Sequence, residues 1–143
     1  NSSGYTSYIA KEADGINSKA EYWIDLAKYD FDTAKAMNET KRYLYVGFMC
    51  HQVMEKALKA YYAKIHDKSP PYTHNLIVLS EKAGLYDKMS DEQKDFLDFL
   101  APLNIEARDP TTKDRLLVVL DDKRCRQLIT KTGDELEWII KML

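Results

Sequence analysis

Three side chains capable of joint chemistry recur at helical spacing in the middle of the chain. His51, Glu55 and Lys59 stand at i, i+4 and i+8, so one helix carries an imidazole, a carboxylate and an ammonium in a single row. Such a row could move a proton, orient a substrate or hold an anion. The ordinary reading is a solvated face with a Glu55–Lys59 pair worth only about 0.3–0.5 kcal/mol. On the other side of the same stretch Val46, Cys50, Val53, Met54, Ala57, Leu58 and Tyr61 form an apolar seam. His51 and Glu55 are two potential metal ligands on one face. Two ligands do not make a site, and there is no HExxH-type array, so no metal is predicted.

Two further residues complete the candidate set of His51, Glu55, Lys59, His74 and Arg108. His74 opens a predicted helix after Ser69-Pro70-Pro71, where it either faces a ligand or closes the turn. Arg108 stands at a helix end before Asp109-Pro110. Its rigid guanidinium could clamp a phosphate, or pair with Glu55 or Asp30 and staple helices together. Lys56, Lys59, Lys64 and Lys68 read as solvated. The region from Lys113 to Arg126 is a weak basic patch with interspersed acids. There is no GxxxxGK[ST] loop, GxGxxG turn, GxSxG elbow or CxxC pair, which removes those chemistries from view.

The elements that must position these residues are helical. Five Gly and four Pro in 143 residues, with many Ala, Leu, Lys and Glu, favour helix over sheet. Ser18-Lys19-Ala20-Glu21 reads as a capping box, and a first helix follows to about Met37. Asn38-Glu39-Thr40 breaks the pattern. A second helix runs from about Lys41 to His66 and contains Gly47, whose retention implies a close approach of a neighbour. A short helix from Thr73 or His74 stops at Gly84. Ser90-Asp91-Glu92-Gln93 is a second capping box. Pro102 predicts a kink or break. Leu116 to Leu120 reads as a short strand or as the lead-in to the last helix; a lone strand is unstable, so the helical reading leads. The expected fold is all-α, an up-and-down bundle of four to five helices. Residues 1–17 are read as a flexible segment and 18–143 as one domain.

A net charge of −2 supplies no global field for nucleic acid. Cys50 and Cys125 both fall on apolar helical positions and read as free, buried thiols, which points to a reducing, cytoplasmic setting. No apolar run approaches the ~20 residues of a membrane span, and Asn1-Ser2-Ser3-Gly4 does not read as a signal peptide. Ten Tyr are many for this length; Tyr43, Tyr45, Tyr61, Tyr62 and Tyr72 are read as support for a dimer interface.

The string His51-Gln52-Val53-Met54-Glu55-Lys56-Ala57-Leu58-Lys59-Ala60 resembles the central signature of the HEPN family, a helical domain named for nucleotide binding in higher eukaryotes and prokaryotes. Trp23, Leu26, Ala27, Asp30 and Ala34 are similar to its first-helix pattern. Tyr72-Thr73-His74-Asn75-Leu76 is similar to its His after a Pro-containing loop. Asn104 to Pro110 is similar to its Arg-aromatic-Pro segment, with Asp109 where an aromatic is usual. The resemblance spans about Ala20 to Leu143. It implies a homodimer, a groove accepting a nucleotide or RNA phosphate, and a partner of the minimal nucleotidyltransferase type in a toxin–antitoxin-like pair; no cofactor is expected.

Nuclease members of that family place an Arg and a His four to six residues apart. With four to six residues between, that is five to seven positions on, Arg42 meets Gly47, Phe48 and Met49, Arg108 meets Lys113, Asp114 and Arg115, and Arg115 meets Leu120, Asp121 and Asp122. Arg124 and Arg126 also reach no His. The expectation is therefore a nucleotide- or RNA-binding protein without the usual nuclease pair. The rivals are a metal-independent ribonuclease toxin that brings Arg108 and His51 or His74 together in space, and a structural dimeric interaction module.

Overall fold

Residues 18–104 and 110–143 are described by a computed structural model. Helix α1, Ser18–Glu39, turns Ala20, Ile24, Ala27, Asp30 and Ala34 inward at spacings of three and four. Ser18, which the capping-box reading makes the cap, is itself helical. The chain reverses at Thr40–Arg42, where Lys41 takes a left-handed φ of 61°. Helix α2, Tyr43–His66, then runs back along α1. Lys19 Nζ near the start of α1 reaches the carbonyl of Asp67 just past the end of α2, which fixes the antiparallel sense.

Helix α3, Leu76–Lys82, is capped by Asn75, whose Oδ1 accepts from the Val78 amide at 3.0 Å. His74 thus precedes the cap and does not open the helix. Gly84 ends this segment at φ 77°, a conformation in which a side chain is strained. A short 3₁₀ turn, Tyr86–Lys88, leads to α4, Asp91–Leu100. Ser90 and Gln93 form the expected capping box at its start. At Ala101 the helix tightens into a 3₁₀ turn that carries Pro102 and ends at Asn104.

Helix α5, Pro110–Val119, includes most of the Leu116–Leu120 segment, in line with its helical reading over the strand alternative. It contains no buried residue; Leu116 packs partly against the core and Leu120, just beyond it, is fully enclosed. Helix α6, Asp122–Ile140, is capped by Asp121. Its start meets the start of α2 through Tyr43 and Asp122, and its end meets the end of α2, where Lys64 Nζ donates to the carbonyls of Met142 and Leu143 at 2.6 Å each. Gln93 near the start of α4 donates to Glu135 in the later half of α6, at 2.8 Å. Helices α1, α2, α4 and α6 therefore alternate in direction, as in an up-and-down bundle.

The core gathers on α2. Val46, Cys50, Val53, Met54, Ala57 and Leu58 have no exposed surface. Burying a side chain such as Leu58 contributes about 1.5–3 kcal/mol. Tyr61 and Tyr62 belong to this core and so leave the proposed dimer surface, whereas Tyr45 and Tyr72 are exposed. Tyr43 is half-buried and bonded to Asp122. Gly47 does mark a close approach: a Cβ there would lie 3.0 Å from Leu120 Cδ1 and 3.3 Å from Leu103 Cδ1. At Gly133, which the sequence pattern does not single out, a Cβ would sit 2.9 Å from the Phe31 ring.

Cys50 and Cys125 are free and fully buried. Burial pushes the Cys50 thiol up to about 12 and that of Cys125 up to about 11, so neither is a thiolate near neutrality. Native labelling at pH 8 is expected to be slow for both, and fast in denaturant. Rapid labelling of both under native conditions would contradict these positions.

Candidate functional site

The polar row on α2 does not face solvent. His51 is 1% exposed, Glu55 3% and Lys59 7%. The solvated-face expectation fails because α2 is central: α1 covers the row from one side and the loop entering α3 closes it from another. Helical spacing aligned the three residues, and the neighbours decide that they are inside.

Glu55 is the hub. Lys59 Nζ lies 3.0 Å from its Oε2, one helical turn on. His74 comes from the Pro70-Pro71 loop and places Nδ1 3.0 Å from both carboxylate oxygens. An ionised carboxylate only accepts, so His74 Nδ1–H donates. His51 Nδ1 stands 3.8 Å from Glu55 Oε1 and, among the described residues, has no hydrogen-bond partner. Trp23 of α1 lies under the ammonium of Lys59, 5.3 Å from ring centroid to Nζ.

Burial lowers the pKa of His51 from its usual 6.5 to about 4. The carboxylate of Glu55 opposes that shift, His74 reinforces it by charge, and a hydrogen bond with the His74 backbone opposes it. His51 is therefore neutral near pH 7, and its 3.8 Å approach to Glu55 is not an ion pair there. Among the described residues the cationic partner of Glu55 inside the bundle is Lys59.

Asp30 is held by Lys56, which reaches it across the α1–α2 seam. Neither Lys56 nor Lys59 is thus the free, solvated lysine its sequence context implies. Both acids proposed as staples for Arg108 have lysine partners. Arg108 itself lies outside the described residues. Sequence reasoning missed the Trp23 contact, although Trp23 at an inner position of α1 was a signal that could have found it.

The result is a buried carboxylate that fixes one exposed imidazole. The His74 side chain is 61% exposed, and Tyr72 beside it is fully exposed. With Nδ1 committed to Glu55, Nε2 is the atom His74 can offer to a ligand or substrate. Among the described residues no group of three or more His, Cys, Asp or Glu side chains is arranged to hold a metal. Within this cluster, a cation at Glu55 would have to displace an ammonium 3.0 Å away.

Among the described residues no helix is long and apolar enough to cross a membrane. Comparisons with curated proteins and with solved structures return no match. The family model for the HEPN domain matches residues 20–143. That match covers the six described helices from Ala20 in the first turn of α1 onward, including the Glu55 cluster, and the chain belongs to the HEPN domain family.

Proposed function

We propose that this HEPN-domain protein binds a nucleotide or an RNA phosphate at the surface over Glu55, without the nuclease chemistry of an Arg–His pair. The observation that carries the reading is the convergence of His51, Lys59 and His74 on one carboxylate. Glu55 neutralises Lys59 and orients His74; it does not itself meet an anion, because like charges repel. Arg108, with a permanently charged fork, supplies the phosphate contact. Two copies pair, and the partner protein is a minimal nucleotidyltransferase in a toxin–antitoxin-like system within a reducing, cytoplasmic compartment. Two free buried thiols support the compartment.

Titration with ATP and with a short single-stranded RNA tests the site. Arg108→Ala is expected to abolish binding and leave the melting temperature nearly unchanged, since Asp30 and Glu55 already have lysine partners. His74→Ala is expected to weaken binding. A wild type that binds neither ligand, with an Arg108→Ala variant that melts far lower, sinks the proposal and favours a structural module.

One observation favours a second reading. A carboxylate that holds Nδ1 of an exposed histidine is the orientation a general base needs. In a ribonuclease of this kind His74 Nε2 would accept the proton of an RNA 2′-OH, whose oxygen attacks phosphorus and expels the 5′-oxygen. Cleavage to 2′,3′-cyclic phosphate ends by wild type, lost in His74→Ala, would establish it.

A further inference from the structure

We propose that α5 of one copy seats in the groove between α4 and α6 of a second copy. This rests on the pairing of two copies proposed above and assigns the surfaces that pair.

Two features of the same chain are exposed and match each other. The first is α5. No residue within it is buried, and Leu117, Val118 and Val119 are 42%, 82% and 41% exposed. Three successive residues of a helix point about 100° apart, so this turn is apolar on nearly every side. A helix apolar all round is one that is covered all round. Leu116 and Leu120 cover only the inward side. The exposed remainder of the helix carries Lys113 and Arg115 against Asp114.

The second feature is the groove. Between α4 and α6 lie two adjoining cavities of about 310 and 290 Å³ that share Glu92, Phe96 and Lys131. Phe96, Phe99, Leu128 and Trp138 give them apolar walls. Glu92 and Asp95 on α4 stand exposed along one rim. Arg124 of α6 lies over Phe99, 5.6 Å from the ring centroid, and so caps the aromatic wall.

The occupant follows from this chemistry. Its α4 rim is acidic and its α6 wall carries Arg124 and Lys131, so the groove takes a helix with aliphatic tips and one basic flank turned to the α4 rim, and α5 is such a helix. Val118 and Leu117 would enter between the aromatic walls, while Lys113 and Arg115 meet Glu92 and Asp95. In a two-fold pair each copy gives its α5 and receives the other's, so the contact is used twice and the assembly closes. Doubling matters because stable interfaces bury about 800 Å² per partner, more than a single ten-residue helix readily supplies.

The test uses light scattering of the full chain at tens of micromolar. Wild type is expected at twice 16.6 kDa, and Val118→Asp at 16.6 kDa. Val118 is exposed, so the helical content of the variant should be unchanged. A charge swap isolates the interface from folding. Glu92→Lys/Asp95→Lys and Lys113→Glu/Arg115→Glu should each be monomeric alone, and equimolar mixing should restore the double mass, since both contacts then join opposite charges. Monomeric wild type overturns the inference and the pairing beneath it. A Val118→Asp dimer, or a mixture that stays monomeric, overturns the inference and leaves pairing through another surface.

Discussion

Glu55→Ala is expected to lower the unfolding free energy by roughly 3–5 kcal/mol in a urea titration. The cause is the lysine left behind. Lys59 is 7% exposed and its ammonium sits 3.0 Å from the Glu55 carboxylate. Truncating the acid strands a charge in a site with little water, and His74 loses its anchor as well. Against a total stability of about 5–15 kcal/mol that is a large fraction. Lys59→Ala should cost a comparable amount for the converse reason. The double replacement Glu55→Leu/Lys59→Met should recover much of the loss, because an apolar pair of similar volume needs no counter-charge. An exposed pair on the same molecule supplies the control: Arg126→Ala, which breaks the Arg126–Asp122 contact, should cost under ~1 kcal/mol. A Glu55→Ala protein as stable as wild type would show that water reaches Lys59.

Acidification is expected to destabilise the fold between pH 6.5 and pH 4, through His51. In the folded protein burial holds its pKa near 4, while in the unfolded chain it returns to about 6.5. The unfolded state therefore binds the proton first, and stability falls as pH drops through that window. Above pH 6.5 the contribution is fully present; below pH 4 both states are protonated and no more is lost. Two and a half pKa steps correspond to about 3 kcal/mol, of which roughly 2 kcal/mol is gone by pH 5. His51→Gln removes this titration. The difference in stability between pH 7.5 and pH 5 should shrink by that amount in the variant. The comparison between two pH values cancels the fixed cost of the substitution and the slopes from other groups. An unchanged difference would mean that His51 is protonated in the folded protein, as a partner for Glu55.

Local signals in the sequence were enough for the elements. The Ser90–Gln93 capping box, the break after Glu39, the stop at Gly84 and the tightening at Pro102 each depend on residues a few positions apart. Gly47 was legible for a different reason: a glycine costs stability inside a helix and implies a neighbour, though not which one. Leu120 and Leu103, more than fifty residues away, supply it. The candidate site was legible as a row and illegible as an environment. Spacing aligned His51, Glu55 and Lys59, but an amphipathic reading assumes one face in water. Whether a polar stripe is wet depends on what else packs there, here Trp23 from α1 and His74 from a loop. Tyr62, read only as support for a dimer surface, is buried, while Tyr61 lies inside, as its place on the apolar seam implies. Leu116 to Leu120 remained ambiguous because a short β-branched run has no decisive period. Only Leu116 and Leu120, four apart, turn inward, which is the helical answer.

The enclosure of α2 also sets a clock for backbone amides. Hydrogens on Val53 to Leu58 lie in a helix whose surroundings must all separate before solvent enters. They should exchange with deuterium only through global opening, at the slowest rate in the molecule. Amides of α5, a helix with no buried residue, should exchange through local excursions orders of magnitude sooner. The two ends of that hierarchy report on different events: one reads the stability of the whole bundle, the other reads whatever settles on its edge.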